Sequence, residues 1–204
     1  MDAQAPPFFV PFDRPDLIGR EGDVERLHQT LQEGKAAAVT PTLALTGQGG
    51  IGKTQLAVLF AHEKAAAYPG GVFWLNAAKD AEPITEQLGR YALAMKLADL
   101  NAEGDIREYY RQLALVWCGQ RGSRPDTLLI ADNVDDRAFL TSDLPGLPLM
   151  RVTSLGCKIL VTSRLANLPG CDDLEVSILG QDEARDLVSA CSSLAWTGTW
   201  SSRA

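Results

Sequence analysis

The sequence is poor in the residues that staple or ligate. It holds four cysteines, Cys118, Cys157, Cys171 and Cys191, and two histidines, His28 and His62, in 204 residues. No two cysteines form a CxxC pair and neither histidine lies near a cysteine in the chain, which argues against a zinc site and against a disulfide framework. Small buried thiols in a reducing cytoplasm account for them better. Basic residues are outnumbered, 19 Lys and Arg against 26 Asp and Glu, for a formal net charge of -7. A surface of that sign repels phosphate backbones at long range, so direct nucleic-acid binding is not expected, although a small local basic pocket is compatible with it. There is no apolar run of bilayer length, and Met1-Asp2-Ala3 lacks the basic start of a signal peptide. The expectation is a cytoplasmic protein without a membrane partner.

What is present is an ordinary globular composition, 46% hydrophobic and 22% charged, in a length that suits one well-cored domain. Residues 1–16 carry Pro6, Pro7, Pro11 and Pro15 among Phe8, Phe9 and Phe12, and read as an extended lead-in whose aromatics pack on the domain edge. From Glu21 to Glu33, Val24, Leu27, His28 and Leu31 follow helical spacing, with Gly34 as the stop. Short apolar runs at Thr42–Thr46, Val72–Leu75, Thr127–Ala131 and Lys158–Thr162 read as buried strands, with Glu175–Ile178 as a fifth. Helices are expected over 53–67, 83–99, 105–118 and from Gln181 to about Cys191. Strands alternating with helices predict an α/β fold, a mainly parallel five-stranded sheet flanked by helices in three layers. Residues 191–204 show no period and read as an irregular tail, the altered or truncated end of a longer design.

One motif carries chemistry. Gly47-Gln48-Gly49-Gly50-Ile51-Gly52-Lys53-Thr54 fits GxxxxGK[ST], with a strand before it and a helix after it. Successive N–H groups in such a loop form an anion nest, and the helix behind adds the positive end of its dipole. Glycines let the backbone approach phosphate without a Cβ clash. Lys53 is placed to reach the β- and γ-phosphates, and Thr54 to put its hydroxyl on Mg²⁺. Gly47-x-Gly49-x-x-Gly52 also fits the GxGxxG of NAD(P)-binding domains. That fold wants an acid at the end of the second strand, where this chain has Asn76-Ala77-Ala78, with Asp80 in the loop beyond. Leu128-Leu129-Ile130-Ala131-Asp132 puts a carboxylate at the C-terminal edge of a strand, where Asp132 can hold Mg²⁺ opposite Thr54, directly or through a water. Arg164 ends the Lys158–Thr162 strand. If that strand lies beside the phosphate-loop strand, its guanidinium can touch a γ-phosphate; the plainer alternative is an ion pair with Asp132, Asp135 or Asp136.

Taken in order, these segments resemble the nucleotide-binding domain of NB-ARC ATPases, within the STAND class of signalling P-loop NTPases. The resemblance rests on Leu17-Ile18-Gly19-Arg20-Glu21, on Gly47–Thr54 followed by Gln55-Leu56-Ala57, on Leu128–Asn133 as Walker B, and on Lys158–Arg164 as the sensor strand. Leu174–Leu179 and Asp182–Leu187 extend it, so that it covers residues 17–190. It implies ATP or ADP with Mg²⁺ as ligands, and places Ile18, Gly19 and Arg20 against adenine and ribose and Gln55 in the phosphate site. The plainer alternative for Arg20 is a solvated charge at a helix start. Lys53, Asp132, Asn133 and Arg164 become the catalytic candidates. Active members often carry a second acid after the Walker B aspartate; here Asn133 stands there, which can orient water but cannot accept its proton. Asp135 or Asp136 would substitute only through an unusual geometry. In the family, helical and winged-helix domains that close over the nucleotide come next; residues 191–204 are not expected to belong to that continuation.

Three functions are compatible with these residues. A nucleotide-binding switch module with slow hydrolysis at most, which self-associates according to the nucleotide bound, is expected first. A competent ATP phosphohydrolase, turning over above about 1 s⁻¹, is the enzymatic alternative. A non-catalytic truncated fragment is the third.

Overall fold

The computed structural model describes residues 5–17, 19–33, 42–99, 105–144, 147 and 150–176. Alternation along the strands decides its architecture. Leu43 and Leu45, Leu128 and Ile130, Val72 and Trp74, and Leu160 point to one face of a sheet; Ala44, Leu129 and Ala131, Phe73 and Leu75, and Ile159 and Val161 point to the other. Strands apolar on both faces must be covered twice. Helices α1 (Glu21–Glu33) and α2 (Lys53–Lys64) cover the first face, through Val24, Leu27 and Leu31 and through Leu56, Leu59 and Phe60. Helices α3 (Ile84–Ala94) and α4 (Ile106–Trp117) cover the second through Leu88, Ala92, Leu113 and Trp117. Gly89 lets these two helices close up, since a Cβ there would lie 2.8 Å from the Tyr110 carbonyl oxygen.

The sheet contains β1 (Phe8–Phe9), β2 (Thr42–Thr46), β3 (Gly71–Asn76), β4 (Thr127–Val134), β5 (Lys158–Ser163) and β6 (Asp172–Glu175), in the order β1-β3-β4-β5-β2-β6. Every pairing is parallel. A four-residue helix, α5 (Ala138–Thr141), follows β4. The order bears on the rival reading of the glycine loop. In a dinucleotide-binding fold the first and second strands are neighbours; here β4 and β5 separate β3 from β2, and Arg164 is delivered next to the loop that follows β2.

The structure corrects three expectations. Among the described residues the sheet has six strands rather than five, because Phe8 and Phe9 pair with Val72 and Phe73, the Val72 N–H donates to the Pro7 carbonyl at 2.9 Å, and Phe9 stacks on Phe73. The last described strand, Asp172–Glu175, starts three residues earlier than expected, where Asp172 pairs with Leu43; Ser177 and Ile178 of the expected Glu175–Ile178 strand lie outside the described residues. The helix expected over 83–99 ends at Ala94. Lys96 takes a left-handed φ of 52°, and its N–H and that of Leu97 return to the Leu93 and Ala92 carbonyls, a Schellman closure made without glycine. The helix and tail expected beyond Gln181 lie outside the described residues.

Candidate functional site

The loop between β2 and α2 is shaped by its glycines. Gly47, Gly50 and Gly52 have φ of 138°, 81° and 93°. At Gly47 space is short as well, since a Cβ would sit 3.1 Å from the Val176 carbonyl oxygen; at Gly50 and Gly52 it would meet nothing, so the backbone conformation alone demands glycine there. Gly52 is the N-cap of α2 and supplies no side-chain acceptor. The first-turn N–H groups are therefore left for a ligand, and the helix dipole favours an anion. Lys53 folds back over the loop, donating from Nζ to the Gly47 and Gln48 carbonyls at 2.8 and 2.7 Å. Burial, then Arg164, lower its pKa below the usual lysine value, against the opposing pull of Asp132.

The facing wall is the end of β4. Its ladder with β5 pairs Ala131 with Val161 and then Val134 with Ser163, so β4 holds one residue more than its partner across this stretch. Asn133 absorbs the bulge at φ 63° and donates its N–H to the Thr162 hydroxyl at 3.0 Å. Thr162 in turn donates to Asp132 Oδ1 at 2.5 Å. Thr54 donates to the same oxygen at 2.9 Å, and Asn133 Nδ2 to Asp132 Oδ2 at 3.1 Å. Asp132 is buried, as is Thr162, and three side chains satisfy the carboxylate.

This donor set suits Mg²⁺. The Thr54 hydroxyl and the Asp132 carboxylate, joined at 2.9 Å, are the hard oxygen donors that this ion takes, directly or through water. Among the described residues no group of three or more His, Cys, Asp or Glu gathers to hold a metal on its own. That is expected where waters and phosphate oxygens complete the shell.

Arg164 leaves β5 and lies along the loop, its Cδ and Nε about 4 Å from where a Cβ of Gly49 would be. Among the described residues it forms no ion pair and no hydrogen bond, so the plainer pairing with Asp132, Asp135 or Asp136 is not made. A cleft of about 590 Å³ results. Gly49, Gly50, Gly52, Lys53, Thr54, Gln55, Asn133 and Arg164 line it, with Asp132 behind Thr54. Gly47, Gln48 and Ile51 form the back of the loop, where the Ile51 side chain packs against the core. Gly19 and Arg20 do not line this cleft, and Ile18 lies outside the described residues. Arg20 is not a solvated charge: it is buried, its guanidinium bound to Asp23 at 2.7 Å, and its carbonyl accepts the Val24 N–H at 3.0 Å, the first backbone hydrogen bond of α1.

Sequence reasoning missed Thr162 and Ser163 as site residues, and named Asp80 and Asp135 without placing them in the cleft. Thr162, Ser163, Asp80 and Asp135 line the cleft. Thr162 could have been suspected from its place beside Ser163-Arg164, but its bond to Asp132 follows from register alone. No described helix is long and apolar enough to cross a membrane.

Comparison with known proteins bears on the family and the fold. The family profile of the NB-ARC domain matches residues 20–195. The regulatory protein AfsR of Streptomyces griseus is 34% identical over 189 residues, which are 89% of this chain and 18% of that protein. The chain thus spans less than a fifth of the length of this relative. Among solved structures, the signal transduction ATPase with numerous domains (STAND) and a tetratricopeptide repeat sensor from Pyrococcus horikoshii superposes with a TM-score of 0.52 at 18% identity, over 90% of this chain and 28% of that one. Cdc6p from Pyrobaculum aerophilum superposes with a TM-score of 0.55 at 16% identity, over 91% of this chain and 52% of that one. At these identities the two structures speak for the fold.

Proposed function

This chain belongs to the NB-ARC family, the nucleotide-binding domain of STAND-class P-loop ATPases, and from that premise we propose that it is an ATP/ADP-binding switch module with slow hydrolysis at most. The observation that carries the reading is the convergence of four groups on one cleft: the glycine loop with its uncapped helix, Lys53, the Thr54–Asp132 pair, and Arg164 without a protein partner among the described residues. Lys53 exchanges the Gly47 and Gln48 carbonyls for β- and γ-phosphate oxygens. Thr54 and Asp132 would hold Mg²⁺, directly or through water, and the ion would neutralise charge on the phosphate oxygens. Arg164 reads the γ-phosphate and so distinguishes ATP from ADP. Gly19, Arg20 and Ile18 serve the adenine side. Asn133 supports Asp132 and does not itself take a proton. The ADP and ATP forms differ in self-association, with the cytoplasm as the compartment.

Titration calorimetry on the purified chain tests this. Mg-ATP and ADP bind the wild type, and Lys53→Ala weakens both. Loss of charge-assisted hydrogen bonds at about 1.5–3 kcal/mol corresponds to a drop of roughly 10- to 150-fold. Equal affinity of the two proteins, with unchanged circular dichroism, refutes the assignment of the loop. Identical sedimentation of the ADP and ATP forms refutes the switch while leaving nucleotide binding standing.

A further inference from the structure

Hydrolysis of a γ-phosphate requires an acceptor for the proton of the attacking water, and the position after Asp132 does not offer one. Asn133 is an amide, held at positive φ and tied to Asp132 Oδ2. Asp132 is buried, accepts from Thr54, Thr162 and Asn133, and is assigned to the metal in the reading above. Asp136 is spent at the start of α5, accepting the Ala138 N–H at 2.8 Å, and does not line the cleft.

Asp135 is different. The extra residue in β4 carries the chain past Asp132 so that Asp135 lines the cleft together with Lys53, Thr54 and Arg164. Its backbone is fixed from both sides. Ser163 Oγ donates to the Val134 carbonyl at 2.6 Å, and the Asp136 cap anchors the residue after it. Its own carboxylate is exposed and has no hydrogen bond or ion pair among the described residues. A second hollow of about 320 Å³ borders the cleft and shares Ala78 and Asp135 with it. Asp135 thus stands at the junction of the two hollows. Asp80, the other acid on the wall without a partner among the described residues, belongs to the loop after β3, one strand further from the phosphate loop.

We propose that Asp135 is the catalytic base of this domain, three residues beyond the metal-binding Asp132, in place of the acid that Asn133 replaces. The proposal rests on the nucleotide-binding reading above. In the step, the oxygen of a water bonds to the γ-phosphorus and its proton passes to the Asp135 carboxylate. The bond from that phosphorus to the β–γ bridging oxygen breaks, and its electron pair leaves with ADP.

The experiment is single-turnover cleavage of γ-labelled ATP by the whole chain with Mg²⁺. ATP affinity and the identity of the protein-bound nucleotide are read in parallel for wild type, Asp135→Asn, Asp135→Glu, Asp80→Asn and Asp136→Asn. Asp135→Asn is expected to slow cleavage by about 100-fold or more, the usual scale of a general base, while ATP affinity stays within about threefold and the bound nucleotide remains ATP. Asp135→Glu keeps part of the rate and Asp136→Asn all of it. Wild-type cleavage by Asp135→Asn, loss in Asp80→Asn alone, or a wild type that binds ATP and never cleaves it each overturns the proposal. A wild type that binds no nucleotide overturns the underlying reading instead.

Discussion

Replacing Thr162 by valine keeps the shape of the side chain and removes one hydroxyl. That hydroxyl donates to Asp132 Oδ1 at 2.5 Å and accepts the Asn133 N–H at 3.0 Å, at a residue 1% exposed beside a carboxylate residue 4% exposed. Water therefore cannot take its place. A hydrogen bond to a charged group contributes about 1.5–3 kcal/mol, and a buried amide left unpaired costs about 1–3 kcal/mol. Asp132 keeps Thr54 and Asn133 as donors, so the lower half of the combined range applies, a loss of about 3 kcal/mol. With a urea slope of about 2 kcal/mol/M, the midpoint falls by roughly 1.5 M. Urea denaturation without nucleotide is the assay, with Thr162→Ser, which retains the hydroxyl, alongside. A midpoint for Thr162→Val within about 0.3 M of wild type, or a serine variant as damaged as the valine one, refutes the network.

Further expectations follow from buried groups. The Tyr68 hydroxyl is buried with no hydrogen-bond partner among the described residues, so Tyr68→Phe should stabilise the fold by about 1 kcal/mol in the same assay; a clear loss of stability would show that the hydroxyl is satisfied. Gly70→Ala would put a Cβ 2.3 Å from Thr127 Oγ1 and 2.8 Å from the Asp126 carbonyl oxygen, and should cost about 1–3 kcal/mol by overpacking, visible as a lower thermal midpoint. Burial pushes the Cys118 and Cys157 thiols up to about 12. The unfolded thiol titrates near about 8.5, so between roughly pH 9 and 12 the unfolded chain releases protons that the native state keeps, and stability falls as pH rises through that window. At pH 8 both should escape alkylation in the native protein and react in urea, read by peptide mass spectrometry; rapid native labelling would contradict their burial.

The chemistry-bearing loop was legible because it is local. Glycines at fixed offsets, a strand of alternating faces before them and helix-forming residues after them lie within a short stretch of chain. The same holds for α1, whose bounds follow from apolar spacing and the Gly34 stop, and for Asp132 at the end of an apolar run. The end of α3 was not legible, because Lys96 adopts a conformation its side chain does not advertise and the closure is made by backbone bonds to Ala92 and Leu93.

The sequence by itself determined the strand–loop–helix unit, the carboxylate at a strand end and the arginine after another strand, since each depends on residues close in the chain. Tertiary structure decided how they meet. Pairing of β5 with β2 brings Arg164 along Gly49, the bulge in β4 turns Asn133 into a strut and sends Asp135 into the cleft, and strand register alone joins Thr162 to Asp132. Packing likewise drew Phe8 and Phe9 into the sheet. Parallel strands are joined through long crossovers, so which strand becomes whose neighbour, and in what register, is settled by burying both faces of the whole sheet at once. No single segment carries that information.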